Sequence, residues 1–145
     1  MADDNKRYGT LYEHTFVVEA LRRNLQPHIP VGDYLPHDLV VYNRAGNSYR
    51  VQVKGTKHLV ARQGRQPRFR ITSKKGGSSL KGERQWMPID CTEVEVLAAY
   101  IAVVDAWYLI PCPDVGGKAI WFYPTSEGSK AKYEKYRDNW AVFDE

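Results

Sequence analysis

The sequence predicts an α/β domain, a mixed or antiparallel sheet flanked by helices. Three observations predict it. Residues 10–26 repeat apolar side chains at the helical period, residues 38–54 alternate about a polar turn, and residues 97–110 form two apolar runs broken at Asp105. The 145 residues make a single domain, 1–145, large enough for its own core. With 43% hydrophobic and 26% charged residues, the composition excludes a disordered chain. No apolar run approaches the roughly 20 residues that cross a bilayer. Met1-Ala2-Asp3-Asp4 begins no signal peptide, so a cytoplasmic protein without membrane contact is expected. Cys91 and Cys112 lack CxxC spacing, which points to neither a disulfide framework nor a zinc site.

The first element is the helix over 10–26. At 100° per residue, Leu11, Phe16, Val17, Val18, Ala20, Leu21 and Leu25 fill one broad arc, with Glu19, Arg22 and Arg23 opposite. Glu13 falls inside the apolar arc. An inward carboxylate costs free energy unless a metal or a lysine partners it. Thr10 and Glu13 also have capping-box spacing, in which Glu13 would bond back to the Thr10 amide. Both readings of Glu13 stand at this point; Glu19 is the control and should be exposed. Pro27 and Pro30 are expected to end the helix.

Next comes a hairpin, Asp38 to Lys54, around Asn43-Arg44-Ala45-Gly46-Asn47. If Tyr42 faces Ser48, antiparallel pairing puts Asp38 opposite Gln52. Alternation sends Gln52 and Lys54 to one face and Val51 and Val53 to the other. An acid, an amide and an amine are thus gathered at one end of a hairpin. His37 should point away from Asp38 as a surface or supporting residue, and His14 and His58 have no metal-binding spacing.

After Lys54 the pattern dissolves into a basic loop or strand end. Arg68 to Thr72 alternates as a third strand, with Phe69 and Ile71 inward and Arg68 and Arg70 outward. Residues 73–82 are a Gly/Ser/Lys loop without the pattern of a phosphate-binding P-loop. Asp90 with Glu93 can cap a helical turn. Leu97–Val104 and Ala106–Ile110 read as the buried centre and edge of the sheet, and Ala119–Tyr123 as a last strand stopped by Pro124. Residues 129–137 read as a charged helix, with Tyr133, Tyr136 and Trp140 packed onto the domain.

Asp38, Gln52 and Lys54 resemble the motif of the PD-(D/E)XK nuclease superfamily, in its QxK variant. There an Asp and an acid two residues before a Lys sit on adjacent strands. YRVQVK, the preceding helix with Gly9 and Glu13, and the later WYLIP are similar to a small-endonuclease branch that resembles intron-encoded homing endonucleases and archaeal-type junction resolvases. The resemblance covers most of residues 8–111. Two departures stand out: Pro36 is separated from Asp38 by His37, and the second acid is the neutral Gln52.

The resemblance implies a restriction-endonuclease-like core and a Mg²⁺-dependent DNA endonuclease, with Mn²⁺ as a possible substitute ion. Asp38, Gln52, Glu13 and the backbone carbonyl of Val53 would be ligands, and Lys54 would orient water or stabilise developing charge. One site cuts one strand, so duplex cleavage implies a homodimer or higher oligomer. The chain between Arg50 and Arg84 has eleven Lys or Arg and one acid, a segment of +10 in a protein of net +4. Within it Lys57, Arg62, Arg65, Arg68, Arg70, Lys74, Lys75 and Lys81 are candidate DNA contacts. A homing or mobile-element enzyme, a restriction-like enzyme and a junction resolvase remain open. The alternative is a degenerate nucleic-acid-binding module of the same fold.

Overall fold

The computed structural model describes residues 2–72, 89–117, 119–125 and 131–144. Helix α1 spans Ala2–Arg22, beginning and ending earlier than the periodicity predicts. Its first turns are polar and exposed, so they carry no apolar stripe to read; an Asp4–Arg7 ion pair at 3.7 Å lies along them. Asn24, at φ 63°, ends the helix before either proline. The Leu25 amide donates to Ala20 O at 2.9 Å and the Asn24 amide to Leu21 O at 3.1 Å, a Schellman closure. Because the helix runs through Thr10, that residue is not a cap, and the capping-box reading of Glu13 is overturned.

The buried stripe is also narrower than expected. Tyr12, Phe16 and Ala20 are buried, whereas Leu11, Val18 and Leu21 are exposed. Glu19 is not the fully exposed control; it is partly covered while pairing with Arg22 and Arg23 at 2.9 and 3.7 Å.

Strands β1 (Gln26–His28), β2 (Leu39–Tyr42), β3 (Ser48–Thr56), β6 (Val96–Ile101) and β7 (Ala106–Pro111) form a five-stranded sheet in the order β1-β2-β3-β6-β7. Only β3 and β6 pair in parallel, so this sheet is mixed. The hairpin register is the expected one, with Tyr42 opposite Ser48 and Leu39 opposite Val51. Strands β4 (Leu59–Val60), β5 (Arg68–Thr72) and β8 (Ala119–Phe122) form a second, antiparallel sheet. The third strand of the sequence reading therefore belongs to a separate layer.

Strand β6 is buried along its whole length because both faces are covered. Val96, Ala98 and Tyr100 pack with α1 residues Tyr12 and Phe16, and with Trp140 and Phe143. Leu97, Ala99 and Ile101 pack with Phe69, Ile71, Ile120 and Phe122 of the small sheet. Asp105, at φ 49°, makes the turn into β7 at the sheet edge.

Asp90 caps a turn as expected, its Oδ1 accepting from the Thr92 amide at 2.9 Å. Of the charged helix predicted over 129–137, residues 129 and 130 lie outside the described residues, and the rest forms instead a 3-10 turn, Glu134–Tyr136, followed by another, Trp140–Phe143. Tyr133, Tyr136 and Trp140 are buried as expected; docking aromatic anchors onto the sheets takes precedence over helical continuity. Cys91 and Cys112 are joined in a disulfide, against expectation. The β6–β7 register puts Val96 opposite Pro111, which brings the two cysteines together although 21 residues separate them.

Candidate active site

Strand β3 sorts its side chains as alternation requires. Val51 and Val53 are buried against α1, while Gln52 and Lys54 are half-buried on the other face. Asp38 sits one residue before β2, where that strand parts from β3. Its amide donates to Val51 O at 2.9 Å, and its Oδ2 accepts from the Val53 amide at 2.7 Å. The carboxylate thus replaces a backbone rung at the mouth of the hairpin. Its second oxygen makes no hydrogen bond to the described residues.

Glu13 reaches the same place from α1. The helix lies close on β3 because residue 55 is glycine; a Cβ there would overlap the Tyr12 ring. A pocket of about 380 Å³ forms at this crossing, lined by Glu13, Asp38, Val53, Lys54 and Lys57 among others. The ammonium of Lys57 lies 3.7 Å from the centre of the Tyr8 ring at its rim. Glu13 and Asp38 also line a neighbouring pocket of about 460 Å³ on the side of the loop before β2, together with Asp33 and His37. Two carboxylates therefore stand between two openings. Gln52 lines neither of these pockets, so the structure brings together Glu13, Asp38 and Lys54 but not the amide.

The electrostatics follow from that crowding. The Glu13 carboxyl is pushed up to about 7, first by burial and then by the charges of Asp38 and Asp33, with Lys54 opposing. Asp38 is also raised, by burial first and also by Asp33, against the Val53 amide, Lys54 and His37, which favour its anion. Asp33 is an acid that the sequence reading missed. It lies in a loop between Pro30 and Pro36, with no periodicity to mark its direction. His37 is half-buried, and its Nδ1 is enclosed with no hydrogen-bond partner among the described residues.

A hard divalent cation fits this donor set in a specific sense. Among the described residues no three His, Cys, Asp or Glu side chains gather as a ready ligand cluster. Mg²⁺ is commonly held by one or two carboxylates, with water and substrate phosphate filling the octahedron. Glu13 and Asp38, burdened by mutual repulsion, meet that minimum.

Of the basic candidates, Lys57 stands at the pocket. Arg62 and Arg65 lie in the β4–β5 turn, and Arg68 and Arg70 lie on β5. Arg68 stacks over Trp121 at 3.5 Å and Arg62 over Tyr123 at 5.5 Å, aromatic partners that no sequence signal assigned. Lys74, Lys75 and Lys81 lie outside the described residues.

A family model described as PD-(D/E)XK endonuclease matches residues 3–143. Among solved structures, a bacterial homing endonuclease superposes with a TM-score of 0.79 at 19% identity, covering 96% of this chain and 93% of that one. At that identity the likeness is one of fold. No curated protein sequence matches the chain.

Proposed function

Because the chain belongs to the PD-(D/E)XK endonuclease family, we propose that it is a Mg²⁺-dependent endonuclease hydrolysing DNA phosphodiester bonds, with Mn²⁺ able to substitute. The observation that carries this reading is the convergence of Glu13, Asp38 and Lys54, from three separate elements, on one open pocket.

Glu13 and Asp38 would hold the ion, with the Val53 carbonyl as an uncharged donor beside them; Gln52, which lines neither pocket, would have to turn its amide towards the ion to join them. When bound, the ion supplies charge neutralisation at the phosphate and an acidified water. Lys54 donates hydrogen bonds to the attacking water or to a phosphoryl oxygen as negative charge grows there. Asp38 keeps its place through the Val53 amide, so its free oxygen is preorganised. Lys57, beside the pocket, binds an adjacent phosphate. A single pocket cuts one strand, so a homodimer or higher oligomer would cut a duplex. Among the biological roles open to this chemistry, the fold of the homing endonuclease favours a mobile-element enzyme over restriction or junction resolution.

A second reading, a binding module that has lost catalysis, is favoured by the neutral Gln52 and by the absence of a third acidic ligand among the described residues. Purified protein incubated with supercoiled plasmid, branched DNA and RNA decides between them. Nicked or linear plasmid with Mg²⁺ or Mn²⁺, none with EDTA, and a loss on the order of a hundredfold or more in Lys54→Ala is the expected result. Salt-dependent binding without cleavage of any substrate would establish the binding module instead.

A further inference from the structure

The small sheet has an outer face that the pocket does not use. Phe69 and Ile71 of β5, with Ile120 and Phe122 of β8, point into the second core. Alternation sends Arg68, Arg70 and Trp121 to the opposite face, where Arg70 pairs in register with Trp121. The Arg68 guanidinium lies over the Trp121 ring at 3.5 Å, and its Nε is enclosed without a hydrogen-bond partner. Among the described residues neither Arg68 nor Arg70 forms an ion pair with a carboxylate. A merely solvated basic face has no use for a tryptophan holding one guanidinium flat. Stacking restricts the arginine fork to a few orientations, which is what bidentate recognition requires.

The spacing selects the partner. Side chains on one face of a strand repeat at about 6.8 Å, twice the rise of roughly 3.4 Å per residue. Base pairs rise about 3.4 Å per step, so Arg68 and Arg70 match alternate pairs when the strand follows a groove. A β-ribbon fits the major groove of B-DNA, where arginine bonds guanine O6 and N7. Chain continuity places the start of the small sheet beside the pocket, since Lys57 and His58 line the pocket and β4 begins at Leu59.

We propose that the outer face of the small sheet enters the major groove of duplex DNA, with Arg68 and Arg70 each reading a guanine and Trp121 positioning Arg68. This deepens the endonuclease reading and rests on it for its substrate.

The test is selection from a randomised duplex DNA library by the full chain in EDTA, followed by sequencing of the bound fraction. Wild type should enrich guanine at two positions two base pairs apart. Arg70→Ala, at an exposed position that does not hold the fold, should erase one enrichment and weaken binding to the selected duplex about tenfold. Trp121→Leu should erase the other, and Trp121→Phe, which keeps an aromatic face, should restore it. A wild type without base preference, or an Arg70→Ala that weakens all sequences equally, overturns the proposal. Plasmid cleavage is scored separately. Cleavage without the guanine signature sinks this inference alone, and the signature without cleavage sinks the nuclease reading alone.

Discussion

Replacing Glu13 by glutamine removes the most strained charge in the pocket while keeping its shape. A carboxyl moved from 4.5 to about 7 corresponds to roughly 3 kcal/mol at full strength. Solvent reaches this side chain, and screening reduces the figure to about 1–2 kcal/mol. A carboxyl that holds its proton more tightly in the fold favours the fold below about pH 4.5. That contribution is lost as pH rises towards 7. Glu13→Gln should therefore match wild type near pH 4.5 and exceed it by about 1–2 kcal/mol at pH 7.5, without metal. Some pH dependence should persist in the variant, because Asp38 is raised in the same direction. Urea unfolding across pH 4.5–7.5, with and without Mg²⁺, measures all of this. Added Mg²⁺ should stabilise wild type at pH 7.5 more than the variant, since the ion offsets the repulsion that the substitution removes. A variant no more stable than wild type at pH 7.5 refutes the claim that Glu13 is buried against like charge.

Other substitutions separate structure from chemistry. Asp38→Ala strands the Val53 amide and should cost about 1–2 kcal/mol of stability, whereas Asp38→Asn keeps an acceptor there and should melt near wild type. Both should lose metal-dependent cleavage, as read by plasmid nicking beside thermal melts. Gly55→Ala forces Tyr12 and the helix away from β3; calorimetry should show a loss of about 1–3 kcal/mol, and cleavage should fall as Glu13 moves. Gln52→Glu adds a carboxylate on the Lys54 face of β3, so titration calorimetry should show tighter Mg²⁺ binding and urea unfolding a weaker metal-free fold at neutral pH. Unchanged Mg²⁺ affinity removes Gln52 from the ligand set.

The hairpin was legible because alternation and a polar turn leave one register that buries Leu39, Val41, Val51 and Val53 together. With that register Asp38 and Lys54 came to the same place, and Glu13 was found as an acid in an apolar arc. The N-terminal turns of α1 were not legible, since helix without a buried face has no period. Nor was the division into two sheets: Phe69 and Ile71 read as inward, but not which sheet they face. Asp33, Trp121 and the Cys91–Cys112 pairing depend on loops and registers between distant segments, which no local spacing records.

Gln52 lies on the Lys54 face of β3 without lining either pocket, and its neutrality still bears on the charge balance there. Glu13 is already pushed to about 7, and Asp38 is raised beside it, with Asp33 adding to both. A third carboxylate on β3 would deepen that repulsion, which among the described residues Lys54 opposes on Glu13. The neutral amide at the strand position adds no charge to that repulsion. On the proposed reading, such a site would bind a divalent ion weakly until phosphate oxygens complete the shell. Metal and DNA should then load cooperatively, each raising the affinity for the other, because each supplies charge that the other lacks.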